Sequence, residues 1–457
     1  GDDSKSYYKW GVTDTRRSAV FGSKGQFHPG YVEGQRGGTV QIEGYQLAIA
    51  DGTLRGGAQR GSRQREAVLG GQLIIGRADG NDLMTPEIRL QAQRVSHQLS
   101  AADVLEKDLP LRLSTQGLQD SGFARIELYS NDTITLEEGA ALALPAGGAL
   151  SLIGHDLNIA GSIRVSAGSI SLQSKLTNDT TNTDYGIRVG AHAVLDVGGR
   201  WVNDQLFAAG SGANSAALIK GGDVKIKSAG EAQFAPGSVV DASGGAWLKA
   251  NNSLKKGNGG TIDIAVEQLF SQVPNLELGG ELKAHAPGKG GTLRLTASGI
   301  TIQNQAGEPA PGQLLLTPEF FQQGGFSAFE LTANRDDLRV VENTRVKLAP
   351  TSLVFGGQYA LQADGADIET FSTPALLPTH QRAPAKLALR STMGAGVGSY
   401  NQAGMLAVEN GAVLDAGNAG QVTFHSERRI EMQGEIHAAG GTITAQLGEV
   451  PSRLGSD

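Results

Sequence analysis

The chain has 457 residues, with 65 Gly, 15 Pro, 5% aromatic residues, no Cys and a net charge of −7 at pH 7. The missing Cys excludes disulfides, thiolate metal sites and thiol redox chemistry. The acidic balance argues against a general nucleic-acid binder, and no run of 18 apolar residues is present to span a membrane as a helix.

Residues 1–123 read as an irregular, β-rich start. Alternating apolar and polar residues predict strands at 39–42, 45–50 and 72–75, separated by long polar segments. One of these segments, RGGAQRGSRQR at 55–65, carries Arg55, Arg60, Arg63 and Arg65 and no acid. Four guanidinium groups could grip an anionic polysaccharide or lipid headgroup through charge-assisted hydrogen bonds. The plain alternative is a solvated loop.

Residues 124–305 carry a repeat. In AGSIRVSAGSISL, at 160–172, Ile163 and Val165 point one way and Arg164 and Ser166 the other. Ala167-Gly168 then turns the chain, with Gly expected to supply a positive φ, and Ile170 and Leu172 resume the alternation. The same spelling recurs with lead residues Leu142, Ile163, Leu195, Val240, Leu282, Leu414 and Ile436. Successive spacings of 21, 32, 45 and 42 follow Leu142, and Leu414 and Ile436 are 22 apart. Fixed-period similarity of this kind means a stacked repeat. The position after each lead holds Ala143, Arg164, Asp196, Asp241, Lys283, Asp415 and His437, a mixture that fits a solvated face.

A strand this short buries its apolar side only by stacking on copies of itself about 4.8 Å apart. The predicted fold is therefore all-β, a right-handed parallel β-helix (β-solenoid) with about 21 residues per coil, three short strands and three turns each. Its length is bounded at roughly 100 Å, shortened by excursions expected at 175–185, 203–219 and 245–258. With that period, the 45 residues between Asp196 and Asp241 amount to two coils.

Residues 306–457 continue the β-helix with two large excursions, 306–325 and 350–384, and clean coils from Lys386 to Gln446. Thr317, Pro318 and Gly324 frame a single helical turn whose Phe320 and Phe321 pack on the adjacent coil.

Three stretches carry a family resemblance: GRWVND (199–204), ALIKGGDVKIKSAGEAQFAPGSVVDASGG (217–245) and GGFSAFELTANRDDLRVVENTRVKLAP (324–350). They resemble the large filamentous-haemagglutinin-like exoproteins of Gram-negative bacteria, secreted by the two-partner route. The resemblance covers most of 124–445. It implies a right-handed β-helix, a secreted or cell-surface location, an outer-membrane transporter barrel as secretion partner of the full-length protein, and adhesion as the usual role. The family's amino-terminal secretion domain has Asn-Pro-Asn motifs, and this sequence contains no Asn-Pro. The expectation is a shaft segment taken from something larger.

Right-handed β-helices also include polysaccharide lyases and hydrolases, which need two or three carboxylates on neighbouring coils. Asp196, Asp241 and Asp415 share the repeat column, but so do Arg, Lys and His, and an Asp at such a corner commonly caps the turn. The 8 His are scattered; His285, His425 and His437 fall in no metal-ligand spacing. A metal held by turn carbonyls and Asp stays open with no residue to name, and the Gly-rich 286–291 repeats the corner pattern. The leading expectation is a structural and adhesive segment, a monomeric rod that presents loops to a glycan or cell-surface ligand, with no enzyme activity and no cofactor. The alternatives are a carbohydrate-active β-helix enzyme and the delivery shaft of a contact-dependent toxin.

Overall fold

The computed structural model describes residues 3–16, 34–45, 52–59, 61, 68–78, 80, 82–83, 85–93, 109–177, 185–206, 217–267, 275–392 and 404–448. Asp3–Tyr7 and Val12–Arg16 form an antiparallel pair of their own, and the chain from Thr39 on is built around a parallel β-helix. Its first face is a sheet of 12 strands, stacked in chain order from Thr39–Ile42 to Thr442–Leu447. Every neighbouring pair in it is parallel. Eleven strand-to-strand steps of about 4.8 Å make a rod of about 53 Å.

Alternation decides what is inside. In Ser169–Ser174, Ile170 and Leu172 are fully buried, and Ser169, Ser171 and Gln173 beside them are partly exposed. Register aligns Leu150, Ile170, Val224, Ile262, Leu293 and Phe329 on successive strands, so the interior is one continuous apolar column. Each such side chain contributes about 1.5–3 kcal/mol on leaving water. Ile163, Val165, Val240 and Leu282 lie in the core as expected. Ile436 is only half-buried, because it sits near the last described strand, Thr442–Leu447, whose residues are all exposed.

At three corners of the repeat, Gly147, Gly417 and Gly440 supply the positive φ expected of glycine, at 77°, 69° and 64°, but another corner uses glycine for a different reason. At the turn of 160–172, the positive φ, 51°, belongs to Ala167 and not to Gly168. Gly168 stands directly before a first-face strand, in a column with Gly148, Gly222 and Gly260. A Cβ on Gly168 would overlap the carbonyl oxygen of Gly148, one on Gly222 that of Gly168, and one on Gly260 that of Gly222. Glycine is required there because stacked backbones approach too closely for any side chain.

The second face runs in two sheets. Seven strands lead to Leu276–Leu278, and five stack from Gln313–Leu316 to Arg429–Met432. The third face does likewise. Ala141–Ala143, Ser162–Arg164, Val194–Asp196, Val239–Asp241 and Glu281–Lys283 form one parallel stack, and Arg345–Lys347, Val413–Asp415 and Glu435–His437 another. Between the two third-face stacks the wall is made by the 3-10 segment Pro318–Gln322. It is the helical turn foreseen from Pro318, although the Thr317 side chain makes no cap bond. Ala284 donates its N–H to the Gly324 carbonyl at 2.7 Å, which carries the ladder across the gap. Buried Phe321 packs on Phe329, with ring centroids 5.1 Å apart. Only the first part of residues 306–325 stays an exposed loop, to residue 311: the rest returns to the rod as Gln313–Leu316 and plugs the third face.

One helix was not foreseen. Thr115–Asp120 is capped by Ser114, whose hydroxyl accepts from Gly117 N at 3.2 Å, and it buries Leu118. Gln119 donates to the Ala141 carbonyl at 2.8 Å, so the helix closes the start of the third face.

Residues 350–384 behave as a strap. Ser352–Phe355 pairs antiparallel with Ser372–Ala375. The strap folds back onto a small side sheet made of Trp201–Asn203, Ala246–Leu248 and Leu254–Lys256. Trp201 is the hub: its ring centroid lies 5.1 Å from Phe371, 5.7 Å from Phe355 and 6.1 Å from Tyr359. Asn203 donates to the carbonyls of Ala360 and Gln362 at 3.0 and 2.8 Å. The GRWVND stretch is thus the seat on which the strap docks.

Candidate functional site

The site is built from a corner motif. On the third face each inward residue is followed by an outward one, and then the chain turns. Where the outward residue is Asp, its carboxylate accepts from the amide two residues on. Asp196 binds Gly198 N at 2.7 Å, Asp241 binds Ser243 N at 2.8 Å and Asp415 binds Gly417 N at 2.9 Å. The turn-capping role considered for these residues is therefore present at all three.

Register overturns one expectation. Arg164, Asp196, Asp241 and Lys283 lie on four consecutive coils, each directly above the last. Asp196 and Asp241 are one coil apart, not two. The chain between them leaves the rod at Trp201–Asn203, which adds residues without adding a coil. Asp415 belongs to the separate stack with Lys347 and His437.

A second expectation also fails. Arg164 and His437 are exposed, but Asp241 and Lys283 are not: their side chains retain 16% and 15% of their accessibility. The strap covers them. Lys283 donates to Glu369 on the strap and lies 3.5 Å from Asp241. Arg164 Nε donates to Asp196 at 2.8 Å. Arg200 lies 3.8 Å from Asp364, a strap residue.

Between the coil flank and strap residues 365–369 is a cleft of about 440 Å3. Its floor is the Arg164–Asp196–Asp241–Lys283 column with Ser243, and Trp201 closes one side. Burial raises the pKa of Asp241, while hydrogen bonding from Ser243 and the charge of Lys283 pull it partly back. Burial alone would lower Lys283, but its bond to Glu369 and the charge of Asp241 outweigh that and raise it. The Ser243 backbone N–H donates to Asp241, while its hydroxyl oxygen is buried with no hydrogen-bond partner.

The other expected residues stand apart from this cleft. Arg55 is exposed; Arg60, Arg63 and Arg65 lie outside the described residues. His285 is half-buried at the root of the strap, 3.2 Å from the Thr351 hydroxyl, and burial lowers its pKa, as does Lys283. His425 is buried, and His437 is exposed beside Glu435. Among the described residues, no group of three His, Cys, Asp or Glu side chains is placed to hold a metal, and no helix is long and apolar enough to cross a membrane. The sequence reading missed Arg200, Ser243, Asp364 and Glu369. The signal for Arg200 was present in GRWVND; Glu369 has none, since only the strap's fold brings it to the column.

The structure defines the class as a parallel β-helix carrying a strap-covered flank cleft. Compared with protein-family models, curated proteins and solved structures, the chain matches none.

Proposed function

We propose that this chain is a structural and adhesive segment of a secreted or cell-surface fibre, a stiff rod that displays a preformed binding cleft to glycans or cell surfaces. The observation that carries this reading is the strap. A rod needs no 350–384 excursion for its own core, yet this one is folded, docked on Trp201 and held over a polar floor. Loops positioned by a rigid scaffold are where binding residues concentrate. Export through an outer-membrane barrel is part of the proposal and rests on the family resemblance.

A second reading, a carbohydrate-active enzyme, is favoured by one observation: Asp196 and Asp241 sit on adjacent coils and face the same cleft. Against it, each carboxylate already serves a turn amide and a cation. Beads coated with the purified chain test the first reading. They should retain cells or matrix polysaccharide above albumin-coated beads, and soluble chain should compete. Beads that hold nothing would sink it. Shortening of polyuronate that is lost in Asp241→Asn would establish the second reading instead.

A further inference from the structure

We infer that the cleft under the strap is a subsite for a short stretch of neutral, hydroxyl-rich glycan, recognised by paired charges and not by a cationic surface. The inference rests on the adhesive reading and narrows its ligand class. Three cationic and four anionic side chains border the cleft; Arg164 pairs with Asp196 at 2.8 Å, and Lys283 pairs with Glu369 and lies 3.5 Å from Asp241. A polyanion placed there meets four like charges and three opposite ones. A sugar hydroxyl does not have this difficulty, because it donates to a carboxylate with its hydrogen and accepts from an Arg or Lys N–H with its oxygen.

Ser243 is an independent observation. The residue is 94% removed from solvent, it lines the cleft, and its hydroxyl oxygen has no hydrogen-bond partner. A buried hydroxyl in that state is uncommon and calls for a partner. A ligand hydroxyl reaching the cleft floor supplies one.

The floor is also preorganised. Asp196 and Asp241 are fixed by turn amides, and Lys283 by Glu369. Binding therefore orders few side chains, which keeps its entropic cost small. The volume falls within the roughly 300–1,000 Å3 of small-ligand sites. At one end the Arg164 side chain is 67% exposed, so a longer chain can continue outward.

The full chain is titrated with hexasaccharides of glucose, mannose and galactose and with hexagalacturonate, following tryptophan fluorescence and heat. At least one neutral hexasaccharide should bind, in about 0.5 M salt as well as at low ionic strength, and hexagalacturonate should bind at least about tenfold more weakly. Ser243→Ala should weaken the neutral ligand about tenfold with its melting temperature unchanged, and Arg164→Ala should weaken it too. No neutral binding, tighter hexagalacturonate binding, or affinity indifferent to Ser243→Ala overturns the inference. Coated beads that hold cells while the cleft binds no neutral sugar would fail this inference and keep the adhesive reading. Cleft binding without any bead adhesion would do the reverse.

Discussion

Asp196 and Asp241 lie directly above one another on neighbouring coils although 45 residues separate them. Two carboxylates stacked this way repel, and the repulsion is part of what keeps the Asp241 pKa up, after burial. The arrangement persists because each has a cation on its other side, Arg164 for Asp196 and Lys283 for Asp241. The column is a four-rung charge ladder with two adjacent acids at its centre and a cation at each end.

The Lys283 end of the ladder should control its pH response. An acid whose folded pKa is raised binds its proton more tightly in the folded state, so stability falls as pH rises through the interval above its ordinary value. Lys283→Met leaves Asp241 covered and without its cation, and is expected to cost about 2–4 kcal/mol at pH 7. Its melting temperature should recover as the pH is lowered towards 4 and Asp241 takes up a proton. Adding Asp241→Asn should restore stability at pH 7 and flatten that pH dependence. Thermal melts between pH 4 and 8 check both; a Lys283→Met deficit that is the same at every pH would refute the ladder.

Neighbouring residues on one strand should respond oppositely to the same substitution. Ile163 is fully buried, while the Arg164 side chain is 67% exposed. Ile163→Asp puts an unpaired charge between coils, and is expected to unfold part of the rod. Arg164→Asp removes one exposed ion pair and adds a like charge beside Asp196, expected to cost about 1 kcal/mol or less. Circular-dichroism melts of the two variants make the comparison.

The inside–outside pattern was legible in the sequence because a strand's period of two is local: Ile163, Val165, Ile170 and Leu172 declare their face within ten residues. Coil adjacency was not. An excursion lengthens the spacing between lead residues without adding a coil, so Leu195 and Val240 look two coils apart when they are paired. The strap was legible as an excursion but not as a cover. Lys283 and Glu369 are 86 residues apart, and no periodicity links them. The corner glycines were legible by position and in part by cause: Gly147, Gly417 and Gly440 do take a positive φ, whereas at Gly168 steric exclusion by the coil below decides, and that leaves no mark within a single turn.

That cause makes a prediction of its own. Gly260→Ala would drive a Cβ into the Gly222 carbonyl, backbone against backbone, with nothing flexible to yield. It should cost about 3 kcal/mol or more, in the range of severe core disruption. Gly417 has φ +69° but open space around its Cβ position. Gly417→Ala should cost only the left-handed penalty of about 1–2 kcal/mol. Urea unfolding of the two variants ranks them; equal costs would mean that turn conformation, not stacking distance, selects these glycines.

Trp201 should hold the strap without holding the rod. Its ring packs against three strap aromatics, and its Nε1–H donates to the Gln362 carbonyl at 3.4 Å. It belongs to a core cluster with Ala246 and Leu248 that is separate from the main column. Truncating a buried Trp to Ala costs about 3–5 kcal/mol, and here the loss falls on the strap's docking. Trp201→Ala should therefore open residues 356–366 to limited proteolysis while the far-ultraviolet melt of the β-helix stays close to wild type. The strap would then withdraw Glu369 from Lys283, and Lys283 would become accessible to amine acetylation, which its bond to Glu369 suppresses in the intact chain. Mass spectrometry of acetylated peptides reads that change at one residue. If Lys283 stays protected while the strap is cut, its burial comes from the coil flank alone, and the strap is not what closes the cleft.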